Sequence, residues 1–371
     1  MKQKLLIVAD TYYPKVDGTL RFIEEFTKRV EAVQVSLLVP DLGMQVGKNV
    51  TYVQPSRYFS MSGYPSIALC RKNIQKIKAS IRDSDLVFIQ GPALMSYLSM
   101  YYGQKYGKKT VFFLHVLSWE LFAKFVPRLI AKPIAWLVRY VSLKFYNHCD
   151  LILVPYPELR DSLREQGVRV PIKVAQLGVD IHRFVPTTSK RLSKKNAGVD
   201  NKLVIGYVGR ISKEKNTQVL LEAFHKLKRQ DRLALLMVGD GPKRQVEVFQ
   251  TVSNCRVTGF VNNVQDYLQA MDIFVMPSLT ETTSLATLEA MSCGLPVIAT
   301  RVGFMKQYIV KDKNGLFFPR NSAATLTIKL QQLLHNPELR RRLGENARKT
   351  IAYSFSWDRS INRIIRLLQR V

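Results

Sequence analysis

Short apolar runs separated by longer amphipathic stretches set the first expectation for this chain. Residues 5–9, 35–39, 86–89, 110–114 and 151–154 are such runs in the first half. Residues 203–208, 233–238, 273–276 and 296–300 follow in the second. Each run is too short for a helix and reads as a buried strand, while the stretches between them carry helical spacing. Strands alternating with helices predict parallel sheets covered on both faces, and each half is expected to form its own doubly wound, Rossmann-like unit. The fold class is therefore α/β with two such domains, residues 1–185 and 203–355. A polar segment rich in Ser, Thr and Lys, 186–202, reads as the linker between them.

Composition narrows the setting. At 371 residues the chain can bury two cores, and 47% hydrophobic with 23% charged residues is globular. Lys2-Gln-Lys4 before the run at 5–9 has the outline of a signal peptide. That run is short and meets Asp10 at once, so a first strand is expected instead. No segment approaches the roughly 18 uncharged apolar residues of a spanning helix, and any membrane contact is expected to be peripheral. Cys70, Cys149, Cys255 and Cys293 are scattered without metal-ligand spacing, which suits a reducing cytoplasm.

A formal charge of +28 calls for an anionic partner: nucleic acid, an anionic membrane surface or anionic small molecules. Residues 51–149 hold fourteen lysines and arginines against only Asp83, Asp85 and Glu120. Aromatics are interleaved there, among them Trp119, Trp136, Tyr140 and Tyr146. A basic, aromatic amphipathic face of this kind can lie in a membrane interface.

The densest chemistry lies in Glu281-Thr-Thr-Ser-Leu-Ala-Thr-Leu-Glu289-Ala-Met-Ser-Cys-Gly294-Leu-Pro296. Thr283 and Ser284 are expected helix N-caps. Leu285, Leu288 and Met291 recur at helical spacing, and Gly294-Leu-Pro296 ends the helix. The tip of such a helix offers free N–H groups and a positive dipole end to a phosphate. Glu281 in the loop and Glu289 on the helix can grip hydroxyls beside it. Phosphate plus polyol describes a nucleotide sugar.

This run resembles the signature of the retaining nucleotide-sugar glycosyltransferases of the GT-B fold, in particular glycosyltransferase family 4. The resemblance implies two Rossmann-like domains facing across a cleft, with a C-terminal helix (356–371) crossing back to the first. It extends to Gly206-Tyr-Val-Gly209-Arg210-Ile-Ser-Lys213-Glu-Lys215, where a strand ends in glycine and two cations follow. The matching Arg and Lys of the family neutralise the donor diphosphate, a role carried here onto Arg210 and Lys215. The chemistry requires it, because the leaving diphosphate gains charge as the glycosidic bond breaks. Glu289 is expected on the ribose and Glu281 on the sugar. Thr283, Ser284 and Leu285 are expected at the donor phosphates.

Further matches are less specific. Gly18 after the first strand is expected to let backbone approach a phosphate, although Asp17 stands where many relatives have a second glycine. His115, ending the run Val111-Phe-Phe-Leu, matches the family histidine that meets the transferring sugar. Gly239 and Gly241, with Phe260 and Val261, resemble the loops around the nucleotide base. Asp83-Ser-Asp85 has the outline of a metal site but precedes a strand, and relatives generally need no metal. No metal or other cofactor is expected. The nucleoside-diphosphate sugar, with UDP-hexose the expected donor, is a co-substrate.

The reading is a retaining hexosyltransferase acting by same-face attack without a protein nucleophile, peripheral on the inner face of the membrane. Its acceptor is expected to be a membrane lipid: diacylglycerol, a phosphoinositide or a polyprenyl-linked carrier. A soluble or lipopolysaccharide-type glycan is the alternative acceptor. A nucleic-acid-binding protein is the alternative of another class, though no nucleic-acid module is present and no such partner is expected.

Overall fold

The apolar runs become the central strands of two sheets. In the computed structural model, which describes all residues except 1, 16, 62–63, 92, 116, 118, 120–127 and 229, the chain forms two compact units. The first comprises Met1–Gln176 with Ser360–Val371, and the second Leu177–Arg359.

The first unit contains β1 (Lys4–Ala9), β2 (Gln34–Pro40), β3 (Val50–Val53), β4 (Pro55–Met61), β5 (Tyr64–Ile67), β6 (Leu86–Gln90), β7 (Lys109–Phe113), β8 (Leu151–Val154) and β9 (Ile172–Val174). Its main sheet runs β3-β2-β1-β6-β7-β8-β9, all parallel, and β4 and β5 pair separately as an antiparallel hairpin. Val8, Ile89, Phe112 and Ile152 are fully buried, because helices cover both faces of the sheet. Strand order reverses between β1 and β6, so ligands are expected outside the carboxyl ends there. The residues leaving those ends are Asp10 and Thr11 after β1, and Gly91 after β6.

The second unit contains β10 (Leu203–Val208), β11 (Leu233–Val238), β12 (Cys255–Val257), β13 (Ile273–Met276), β14 (Val297–Thr300) and β15 (Leu316–Phe318). They form one parallel sheet in the order β12-β11-β10-β13-β14-β15. Its switch point lies between β10 and β13, whose carboxyl ends lead into Gly209-Arg210 and Pro277-Ser278. Alternation with helices is kept, as the apolar pattern requires.

The expected linker is not one. Residues 177–202 belong wholly to the second unit, and Lys190–Asn196 is a helix capped by Ser189. Buried polar contacts fasten the segment. Arg348 donates to the carbonyls of Ile181 (2.8 Å) and Phe184 (3.0 Å), and Ser292 Oγ to Phe184 O (2.7 Å). Gln269 Nε2 donates to Val185 O (2.9 Å), and Lys190 Nζ to the carbonyls of Gln269 and Met271. Side chains of distant elements thus satisfy carbonyls of this segment, and its own Lys190 satisfies carbonyls of theirs. The helix Trp357–Leu368 starts in the second unit, and its residues from Ser360 onward group with the first.

Candidate active site

In the second unit, the loops leaving β10 and β13 meet through side chains the sequence had placed separately. Lys215 Nζ lies 2.7 Å from Glu281 Oε1, and Ser278 Oγ donates to the same oxygen at 2.7 Å. The Glu281 side chain is only 9% exposed, so this is a largely desolvated ion pair. The backbones meet as well: Leu279 N donates to Glu214 O at 3.0 Å. Lys215 was expected on a diphosphate and Glu281 on a sugar; here they hold one another. Arg210 is exposed at the mouth of the same loop, its carbonyl accepting from the buried Tyr207 hydroxyl at 2.8 Å. Burial and the neighbouring Glu281 charge hold the Tyr207 phenol well above its usual pKa, so it stays a neutral donor.

The loop 278–284 is braced from behind. Thr300 Oγ1 donates to Ser278 O (2.5 Å), Phe304 N to Thr282 O (2.7 Å) and the buried Tyr308 hydroxyl to Thr283 O (2.8 Å). Gly303 packs so tightly that a Cβ there would stand 2.0 Å from Glu281 O. The helix Leu285–Ser292 follows, with Leu285 half-buried at its first position and Glu289 half-buried one turn on.

Its N-terminus corrects one expectation. Ser284 is the N-cap by position but is left-handed (φ 59°) and makes no side-chain cap. Its hydroxyl pairs with Thr287 Oγ1 at 2.8 Å instead. Thr283 does not cap either: its Oγ1 is buried and has no partner among the described residues. Uncapped helical N–H groups remain available to an anion.

Asn216 was missed from sequence. It begins the helix Thr217–His225 in a left-handed conformation (φ 53°), beside Lys215, with a buried Nδ2 that has no partner among the described residues. A buried amide without a partner is costly, and this one stands next to the expected phosphate ligand. The signal was present in Lys215-Asn216 before a helix, since Asn is the non-glycine residue that best tolerates that backbone.

The base-loop glycines are brought together, for a reason other than the one expected. Gly239 N donates to Gly259 O at 3.1 Å, and Gly209 N to Val238 O at 2.9 Å. A Cβ on Gly239 would lie 2.1 Å from Gly209 O, and one on Gly241 would lie 2.0 Å from Ile211 O. Backbone packs on backbone here, which demands glycine before any nucleotide is considered. Phe260 stands beside this cluster, 59% exposed, with half-buried Val261 next to it.

In the first unit, His115 follows β7 and its Nε2 lies 2.8 Å from Gln90 Oε1 at the end of β6. Phe22 and Phe113 flank the imidazole, with centroids at 5.8 and 4.4 Å. Desolvation pushes its pKa down from 6.5 to about 4, so it is neutral at physiological pH. The unfolded chain takes up this proton first, so stability falls as pH drops from about 6.5 to about 4. The expected loss is on the order of 3 kcal/mol. Urea unfolding of a His115→Asn variant across that range should show the slope flattened relative to the parent. An unchanged slope would count against the desolvation of the His115 imidazole.

Gly18 departs from its expected role. It is the first residue of the helix Gly18–Arg29, and the Asp17 carboxylate already accepts from Leu20 N at 2.9 Å. A negative side chain takes the helix tip where a phosphate was expected. Asp10 is structural in the same way, accepting from Ala93 N (3.0 Å) and Ser96 Oγ (2.5 Å) at the start of the helix Leu94–Lys105. Asp83 and Asp85 both bind Lys4, through Nζ at 2.6 Å and backbone N at 2.8 Å. Among the described residues no cluster of His, Cys, Asp and Glu is arranged to hold a metal.

Within the basic segment 51–149, Glu120, Phe122, Lys124 and Phe125 lie outside the described residues, as do the side chains of Arg57, Tyr58, Phe59, Tyr64 and Arg128. The helix Arg128–Tyr146 is described and presents Trp136 (65% exposed), Leu137 (53%), Tyr140 (48%) and Val141 (40%) to solvent. Trp136 stacks on Tyr140 at 5.9 Å, and Lys144 Nζ sits 4.7 Å over the Tyr140 ring. Among the described residues no helix is long and apolar enough to cross a membrane.

Comparison with known proteins assigns both halves of the chain to family models. Residues 188–350 match the family model for glycosyl transferases group 1, and residues 16–183 that for Glycosyltransferase Family 4. Sulfoquinovosyl transferase SQD2 of Arabidopsis thaliana is 32% identical over 59% of this chain, which covers 44% of that protein. An alpha-monoglucosyldiacylglycerol synthase of Acholeplasma laidlawii is 24% identical over 92% of this chain and 90% of its own length. Among solved structures, Anabaena Alr3699/HepE in complex with UDP shares the fold with a TM-score of 0.81, at 17% identity and 100% coverage of both chains. Both units are thus accounted for by one family, and the chain belongs to glycosyltransferase family 4, a glycosyltransferase of the GT-B fold.

Proposed function

We propose that this glycosyltransferase moves a hexose, with retention of configuration, from a nucleoside diphosphate to a hydroxyl of a lipid at an anionic membrane surface. Two relatives point toward lipid acceptors by name, the alpha-monoglucosyldiacylglycerol synthases of Acholeplasma laidlawii and Streptococcus pneumoniae. UDP is the favoured nucleotide because HepE, which shares the fold, was solved with it. Arg210 and Lys215 stabilise the diphosphate as it leaves, and Asn216 Nδ2 and Thr283 Oγ1 supply hydrogen bonds that nothing else in the described chain uses. Binding of the donor shifts Lys215 from Glu281 toward phosphate, which frees the carboxylate for sugar hydroxyls. Glu289 takes the ribose, and no metal is required.

The observation that carries the acceptor class is the exposed stripe Trp136, Leu137, Tyr140 and Val141. Soluble proteins rarely expose such a contiguous patch without using it. Lys132, Arg139 and Lys144 surround it, and the helix contains no acid. That charge disfavours pairing with a second copy of a +28 chain and favours an anionic bilayer, at about 1 kcal/mol per cation near the surface.

The test is a donor screen read by nucleoside-diphosphate release, with and without vesicles containing phosphatidylglycerol. Turnover of a UDP-hexose, stimulated by vesicles and yielding a glycosylated lipid, is expected. A Trp136→Ala/Tyr140→Ser double variant should bind those vesicles about tenfold or more weakly, since two amphipathic rings leave the interface. Equal activity on water-soluble glycans without vesicle binding would replace the lipid reading with the soluble-acceptor one.

A further inference from the structure

We propose that Gln90 is the positioning residue for His115, holding the imidazole in the tautomer protonated on Nε2 so that Nδ1 is presented as a bare acceptor. A carbonyl oxygen can only accept, so with Gln90 Oε1 2.8 Å from His115 Nε2 the contact assigns the ring proton to Nε2. The amide is itself enclosed by the sheet. Gln90 is 1% exposed, it ends β6 in register with Ala9 of β1 and Phe113 of β7, and its Nε2 has no partner among the described residues. Among the described residues, the side-chain bond of this buried amide is therefore the one to His115. A polar side chain buried at the switch point and tied to one histidine acts through that histidine.

The consequence is a choice of ligand chemistry. A neutral imidazole with a bare Nδ1 accepts from a hydroxyl and has nothing to donate to a phosphate oxygen. The group facing His115 is then a sugar or acceptor hydroxyl, and the anionic part of the donor is recognised elsewhere. The surroundings keep the ring in that state. Phe22 of the helix Gly18–Arg29 and Phe113 of β7 flank it, and neither carries charge. Asp10, at the end of the adjacent strand β1, has its carboxylate engaged by Ala93 N and Ser96 Oγ.

The inference rests on the role toward the transferring sugar that the family resemblance implies for His115, and the experiment separates the two. Gln90→Met in the full chain is expected to lower kcat about tenfold or more while the donor KM stays within about twofold, because a misoriented group costs rate rather than binding. In a His115→Ala background the same substitution should have no further effect. Gln90→Glu keeps the acceptor, so it should restore activity at alkaline pH. Its carboxylate raises the imidazole pKa, so that activity should fall as pH is lowered through the new value, where Nδ1 becomes protonated. Two-bond 1H–15N correlation spectra of histidine-labelled protein should show the Nε2–H form in the parent and a mixture in Gln90→Met. These spectra also decide the matter if Gln90→Met has low activity through partial unfolding. An Nδ1–H tautomer in the parent, or equal losses from Gln90→Met with and without His115, overturns the proposal alone. Full turnover by His115→Ala overturns the role of His115 and the proposal with it.

Discussion

Lys215→Ala is expected to lower nucleotide-sugar turnover by roughly a hundred- to a thousandfold, the usual cost of removing one preorganised charge from a developing anion. Two effects act together. The leaving diphosphate loses a fixed cation, and Glu281 loses the partner 2.7 Å from its Oε1. A nearly buried carboxylate left with Ser278 Oγ as its side-chain donor among the described residues is no longer held in place as the acceptor the sugar needs. Steady-state release of nucleoside diphosphate measures the loss, and thermal unfolding of the same variant separates it from misfolding. Lys215→Arg should recover part of the rate, since charge is kept while the point contact is not. Turnover within threefold of the parent in Lys215→Ala would show that the pair is structural only.

The second large effect is expected at a residue that touches no substrate. Gly303→Ala would put a methyl group 2.0 Å from Glu281 O and 2.7 Å from Thr282 O, at a left-handed φ of 53°. Neither atom belongs to a flexible side chain that can swing away. The loop 278–284 must move, or the hydrogen bonds from Phe304 N and the Tyr308 hydroxyl must break. A stability loss of about 3 kcal/mol or more is expected, in the range of strained backbone and broken buried networks. The folded fraction should bind UDP far more weakly, because the uncapped helix start and Glu281 shift together. Urea unfolding and calorimetric titration with UDP read the two parts. A variant with parental stability and parental UDP affinity would show that the loop is not fixed from behind.

How much of this was legible beforehand differs between elements. The buried strands were, because a strand covered on both faces must be apolar throughout: the run at 233–238 is β11 to the residue. The edge strands β3, β9, β12 and β15 were not, since three or four residues such as Cys255-Arg-Val257 carry no run. In the second unit the sequence singled out Arg210, Lys215, Glu281 and Glu289 separately, but gave no sign that Lys215 and Glu281 pair. The glycines at 209, 239 and 241 were also picked out, although the close backbone contacts that require them were invisible.

The sequence by itself determined two doubly wound sheets and the family to which they belong, because strand and helix periodicities and the spacing around a helix start are local properties. Tertiary structure alone decided which polar groups meet. It paired Lys215 with Glu281, spent Asp17 on a helix tip, fastened 177–202 through Arg348 and Lys190, and set Gln90 against His115. Partners separated by tens of residues leave no periodic trace, and the cost of burying a polar group without one selects the pairing only after the chain has folded.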